Sequence, residues 1–199
     1  DLLWACPECG ADRGLNAQGR AYVCRTCATR FRRGRGADIR AERPDGTVVV
    51  RSPAEWTALL PDPAGVLREG GGETPLRAAR VTWQEVTGFD TVRDRDGYLN
   101  RVELWGDERP GRLELWPDAL VHVPEGEGPA HWSLDSVIAV QASSSSLQVN
   151  RREQPLVSFR FEDDSILLWE ELLRAALRDF FRRTGRGEIV EFQPRIATR

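Results

Sequence analysis

The chain contains no methionine and no lysine; all 28 of its basic residues are arginine, a bias we read as codon composition rather than function. The missing methionine leads us to expect a processed chain or a piece of a longer one. No apolar run reaches the ~18 residues of a membrane-spanning helix, and no signal-peptide pattern opens the chain. Histidine is scarce: His122 and His131 only, neither accompanied by a nucleophile motif such as G-x-S-x-G. Glycine-rich text lacks the strand-to-helix setting of a phosphate loop, and no paired-carboxylate constellation can be assigned. The run Ser143–Ser146 reads as an exposed turn. These absences leave no catalytic signature, so binding ranks ahead of enzymatic activity.

What is there has globular composition: 199 residues, 40% apolar and 30% charged, with a formal net charge of −3. That balance exerts no global pull on nucleic acid or on an anionic membrane. The charge is uneven, however. Residues 1–43 hold nine arginines against five acids, a balance of +4, and the remainder carries −7.

The basic region is also where cysteine is found. Cys6, Cys9, Cys24 and Cys27 form C-x2-C-x14-C-x2-C, two close pairs whose turns can aim four sulfurs at one tetrahedral ion. Pro7 stiffens the first turn. Gly10 permits the positive φ that points backbone N–H groups at sulfur. The second turn, CRTCA, has Ala28 at the matching place and is less ideal. Disulfide or redox pairing ranks behind a metal, since a redox C-x-x-C is expected at the start of a helix in a βαβ setting. Asn16–Gly19 reads as the turn of a hairpin, with strands at Ala21–Val23 and Arg30–Arg32. Residues 4–35 thus resemble a zinc ribbon. The resemblance implies a structural Zn2+ held by Cys6, Cys9, Cys24 and Cys27, a closed shell with no open position for catalysis.

Directly after the second pair stands Arg30-Phe31-Arg32-Arg33-Gly34-Arg35. Arg30, Arg32, Arg33 and Arg35 are candidate phosphate or partner contacts, and Phe31 is a candidate to stack on a base. The alternative is a solvated strand end.

We divide the chain into a ribbon (1–36), an attached hairpin and short helix (37–60), a Pro/Gly-rich linker (61–75) and a β domain (76–199). IRAERPDGTVVVR turns at Pro-Asp-Gly. Ser52-Pro53-Ala54-Glu55 is a capping box with proline at the first helical position. The helix runs to about Leu60, with Trp56, Leu59 and Leu60 on its apolar face. Beyond Leu76 seven short strands are expected: near 79–86, 99–105, 112–116, 119–123, 137–142, 146–149 and 156–161. A long helix follows over 165–183, carrying Trp169 on its apolar face, an i,i+4 pair Glu170–Arg174, and Gly185 as cap. The tail 188–196 has strand character. The heptads RVELWGD and RLELWPD, eleven residues apart, read as hairpin arms of similar composition rather than a solenoid repeat.

Seven strands and one closing helix resemble a pleckstrin-homology (PH-like or GRAM-like) domain, GRLELWPDALVHV its central hairpin and FRFEDDSILLWEEL its last strand entering the helix. The fold class expected is therefore mainly β (α+β): a zinc ribbon plus a seven-stranded PH-like barrel capped by a C-terminal helix that inserts Trp169. The resemblance implies a protein-binding or membrane-surface role. Its lipid site does not carry over, because Arg93 and Arg95 are matched by Asp94 and Asp96 in the relevant loop. The same loop partly fits a calcium pattern but has Val92 where an aspartate is needed, so it reads as a turn. The expected function is a non-catalytic zinc-binding interaction or scaffold module: an adaptor, or the regulatory part of a larger protein, cytoplasmic or peripheral at a membrane. Its partner is expected to be a protein or an anionic membrane surface. Two alternatives stand behind it, a nucleic-acid-associated factor and the accessory region of a membrane-associated enzyme whose catalytic part lies upstream.

Overall fold

In the computed structural model, the described residues are 3–63, 65, 73–97, 99–143 and 145–185. The tail 188–196 and most of the expected linker therefore lie outside them.

The N-terminal part folds as one five-stranded antiparallel sheet, ordered β1-β2-β3-β4-β5: β1 (Leu15–Gln18), β2 (Ala21–Cys24), β3 (Arg30–Arg33), β4 (Ile39–Glu42) and β5 (Val48–Arg51). The sheet runs straight across residue 36, with Phe31 opposite Ala41, so the cysteine-bearing strands and the second hairpin share one ladder. Gly19 (φ +61°) and Gly46 (φ +84°) take the left-handed turns that let these short strands reverse. A short helix, α1 (Pro53–Thr57), starts on the capping box read from the sequence. The Glu55 N–H donates to Ser52 Oγ at 3.3 Å, and the Ser52 N–H to the Glu55 carboxylate at 2.8 Å. Trp56 is fully buried; its indole N–H donates to the Ile39 carbonyl at 2.9 Å, and its ring meets Phe31 edge-on at 5.5 Å. Since the helix stops at Thr57, Leu59 does not join that apolar face and stays 45% exposed.

The second part is an eight-stranded sheet with one helix: β6 (Arg77–Arg93), β7 (Leu99–Trp105), β8 (Arg109–Leu115), β9 (Ala119–Pro124), β10 (Ala130–Ser133), β11 (Val137–Ala142), β12 (Leu147–Arg151), β13 (Val157–Phe161) and α2 (Ile166–Arg183). Seven strands form the path β10-β9-β8-β6-β13-β12-β11, a curled half-barrel, and among the described residues β7 pairs only with β6. Seven is the expected number, but the membership differs. The strand Ala130–Ser133 is too short for alternation to register. The first strand does not end near Val86 but runs on to Arg93. Past a register shift at Val86/Gly88, β6 and β7 leave the sheet as a two-stranded arm.

Alternation sends Val81, Leu113, Leu115, Val149, Val157 and Phe159 inward, and α2 lays its apolar face over them. Trp169 is fully buried and stacks on Phe161 at 5.1 Å. Removing an apolar side chain of this size from water contributes about 2–3 kcal/mol. The Leu168 N–H donates to Ser165 Oγ at the start of α2, Arg174 pairs with Glu170 at 2.8 Å, and Gly185 (φ +69°) stands just past the end.

Candidate metal centre and adjoining cleft

The two C-x2-C turns are built alike. The Cys6 N–H donates to the Ala11 carbonyl at 3.0 Å, as the Cys24 N–H does to Thr29 at 3.0 Å. The Gly10 N–H closes on the Cys6 carbonyl at 2.7 Å and the Ala28 N–H on that of Cys24 at 3.0 Å. Both closures need a left-handed residue, and the chain uses Gly10 (φ +73°) in one and Ala28 (φ +57°) in the other. The equivalence brings the four Sγ atoms within 4.8 Å of one another. Cys6 Sγ to Cys27 Sγ is 3.6 Å, and Cys9 Sγ to Cys24 Sγ 3.7 Å. These separations are far beyond an S–S bond of about 2.05 Å. They match the edge of a tetrahedron with metal–sulfur bonds of about 2.3 Å. The donor set therefore fits a four-coordinate ion and could hold one.

The electrostatics point the same way. Burial pushes the Cys6 and Cys9 thiols up, so neither ionises readily without a compensating positive charge. At Cys27 burial also opposes ionisation, but hydrogen bonds from the Thr29 hydroxyl and backbone outweigh it and bring the thiol down to about 7. The Thr26 and Cys27 N–H groups approach Cys24 Sγ at 3.4 and 3.5 Å.

Beyond the cysteines, the segment 30–35 divides. Arg30, Arg32, Arg33 and Arg35 are exposed. Phe31 is 1% exposed, packed with Cys6, Cys24, Ala41 and Trp56 in the core of the N-terminal sheet. Its expected role in stacking on a base is corrected accordingly: alternation along β3 turns Phe31 inward and its arginine neighbours outward. Arg32 is paired with Glu42.

Where the N-terminal sheet meets the half-barrel lies a cleft of about 1020 Å³. One wall carries Arg20, Arg25, Arg32 and Arg33; apolar surface comes from Trp4, Leu15, Tyr22 and Phe161; the opposite wall is Glu162-Asp163-Asp164. Those acids are already engaged. Asp163 and Glu162 face Arg80, and Asp164 is held by Arg77 and Arg13. Arg20, Arg25 and Arg33 have no carboxylate partner among the described residues, against one further lining acid, Asp38, so the balance of uncompensated charge in the cleft is positive.

Asp164 is the residue the sequence reading missed. It accepts two bonds from Arg77 at 2.7 Å, one from Arg13 at 2.6 Å, and others from the Trp169 indole and the Ser165 N–H at 2.9 Å. Arg77 also reaches Asp12, between the first cysteine pair and β1. One buried guanidinium thus ties the cysteine-bearing part to the entry of α2. The available signal was an arginine at the start of a strand and three consecutive acids before a helix, which also describes an ordinary solvated turn.

No family model matches the chain, and no curated protein matches it. Among solved structures, the chain is similar to the N-terminal PH domain of human ARAP2 in solution, with a TM-score of 0.35 and 8% identity over 63% of this chain and 96% of that one. Among the described residues, no helix is long and apolar enough to cross a membrane.

Proposed function

We propose that the chain is a non-catalytic binding module in which Zn2+, held by Cys6, Cys9, Cys24 and Cys27, sets the N-terminal sheet against the half-barrel, and in which the cleft between them takes a protein segment bearing acidic and apolar side chains. The observation carrying this reading is the cleft's make-up: uncompensated arginines on one wall beside exposed or half-buried Tyr22, Trp4, Leu15 and Phe161. Zinc is the ion favoured by four thiolates in a closed tetrahedron, and its role there is folding energy rather than chemistry. Arginine forks match carboxylates bidentately, and aromatic side chains supply contact area at low entropic cost. A nucleic acid fits the cleft less well, because Phe31 is buried and cannot stack on a base.

The test is fluorescence anisotropy with a labelled peptide of alternating glutamate and leucine. A lysine-for-glutamate counterpart, a short single-stranded oligonucleotide and phosphatidylserine vesicles serve as competitors. The acidic peptide should bind, and R20E/R33E should weaken it by about tenfold, an effect expected of lost charge pairs. Equal binding of the two peptides, or displacement by the oligonucleotide or the vesicles alone, would overturn the reading. Elemental analysis should find one zinc per chain.

A further inference from the structure

The arm formed by β6 beyond Val86 and by β7 has no place in that reading, and its composition is wrong for a solvated hairpin. Among the described residues, eleven large apolar side chains are exposed, and five of them lie here: Phe89, Val92, Leu99, Val102 and Leu104, at 43–65%. The two similar heptads, which are not arms of one hairpin because β7 and β8 each pair with β6, sharpen the point. In β8 the text Arg112-Leu-Glu-Leu-Trp116 buries Leu113 and Leu115 completely. In β7 the same pattern, Arg101-Val-Glu-Leu-Trp105, leaves Val102 and Leu104 at 43% and 47%. A strand of core composition stands in solvent. Because β7 pairs only with β6 among the described residues, its outer edge is, among those residues, also a row of unpaired backbone groups over seven residues, with no proline to block pairing.

We infer that β7 is a dimerisation edge, and that it pairs antiparallel with β7 of a second copy of this chain about a two-fold axis at Val102. The charges select both the partner and the register. In a symmetric antiparallel pair centred on Val102, Arg101 lies opposite Glu103 of the other copy, twice over, and Val102 meets its own equivalent. Centring on Arg101 or Glu103 would oppose like charges, and a slip of one residue leaves both charges without partners. Arg101 and Glu103 share one face, since their β6 partners Thr91 and Phe89 alternate with Asp90. On that face the Arg101 guanidinium lies 3.8 Å from the Phe89 ring centre, leaning over β6, and it swings off that ring to reach Glu103 of the other copy. The other face sets Val102 against its own equivalent and Leu104 of each copy opposite Asn100 of the other, joining the exposed apolar side chains of the two strands into one stripe. The arm itself carries four acids and three arginines, a composition that does not favour an anionic membrane as the alternative cover. Backbone pairing supplies affinity and the cross-strand ion pairs supply register, as in other strand-addition interfaces.

Sedimentation equilibrium of the 199-residue chain tests this. The wild type should be a concentration-dependent dimer. R101E and E103R each place like charges opposite one another and should raise the dimer dissociation constant by about tenfold or more. An equimolar mixture of the two single variants should form a heterodimer, because both acids of the R101E strand then lie opposite arginines of the E103R strand. The double variant R101E/E103R should dimerise like the wild type. Circular dichroism and metal content verify that each variant folds. A wild type that stays monomeric at millimolar concentration, or single variants that dimerise as the wild type does, or a mixture no tighter than its components, would each overturn the assignment. Since the arm lies outside the cleft, failure here and failure of peptide binding are separate results.

Discussion

The guanidinium of Arg77 lies against the carboxylate of Asp164, with its Nε and one Nη each 2.7 Å from a carboxylate oxygen, and the two side chains are 7% and 2% exposed. Burial opposes the charge on both, and the mutual hydrogen bonds outweigh it: Asp164 is held below the usual carboxylate range and Arg77 stays protonated. Removing one partner of a buried pair costs about 3–5 kcal/mol where the other is left alone, and about 3 kcal/mol is expected here because Arg77 keeps Asp12. We therefore expect D164N to destabilise the half-barrel by about that amount in urea unfolding. R13Q, which removes a 40% exposed partner of the same carboxylate, should cost about 1 kcal/mol or less. Equal effects would show that Arg77 holds no special position.

The same carboxylate sets an acid limit. A depressed folded-state pKa means that Asp164 contributes its full stability above the ordinary carboxylate pKa of about 3.9 and loses it as pH falls below that value. His122 acts in a higher window. It is 1% exposed, 4.4 Å centroid to centroid from Trp83, and burial followed by the charges of Arg109 and Arg151 pushes its imidazole down to about 4. Its stability is present above the unfolded value of about 6.5 and is lost as pH falls toward 4, an amount on the order of 3 kcal/mol. Chemical unfolding of wild type and H122F between pH 7 and pH 4 should show that the slope in this window belongs to His122. An unchanged slope in the variant would assign it elsewhere.

Chelation should act locally before it acts globally. The strands β1–β5 rest on a core of Cys6, Cys24, Phe31, Ala41 and Trp56, too small to fold by burial alone. After EDTA treatment, amide hydrogen exchange should accelerate across residues 15–51 while β8, β12 and α2 keep their protection. Lowering the pH should release the metal, because protons compete with it for the four thiolates. Unaltered protection of residues 15–51 after complete metal removal would mean that the sheet does not depend on the ion.

The two cysteine turns differ by one heavy atom where it counts. Ala28 sits at φ +57°, a region that costs an L-residue about 1–2 kcal/mol, while Gly10 occupies the equivalent place freely. A28G should stabilise the metal-bound protein by about 1 kcal/mol in thermal melts. G10A should destabilise it by a similar amount through the backbone alone, since the added Cβ would meet nothing closer than Pro61 at 3.8 Å. A loss of stability in A28G would show that the turn's chain entropy outweighs its strain.

Much of this architecture was legible because local chemistry decided it. The spacing of the cysteines, the capping box at Ser52–Glu55, the Pro-Asp-Gly turn and the apolar face of α2 each depend on residues within a few positions of one another. What was not legible depends on distant pairing. Nothing near Val86 reveals that β6 loses its neighbours there and continues as an arm. Phe31, in a run of arginines, reads as a surface aromatic until Trp56, 25 residues on, is placed against it. Asp164 looks like one of three interchangeable acids, and only the fold singles it out by bringing Arg77 and Arg13 to it.

The position of that carboxylate also bears on how the chain assembles as it is made. All four cysteines have emerged by residue 27, and the strands of the sheet that carries them are complete by residue 51. The half-barrel, in contrast, closes only when β13 docks on β6, pairing Val81 with Phe161 across 80 residues of chain. Synthesis therefore presents a finished N-terminal sheet, with Asp12 and Arg13 in place, well before Asp164 leaves the ribosome. The last strand and α2 arrive at a docking point that already exists, and the slow, long-range step of folding ends on a surface prepared by the fast, local one.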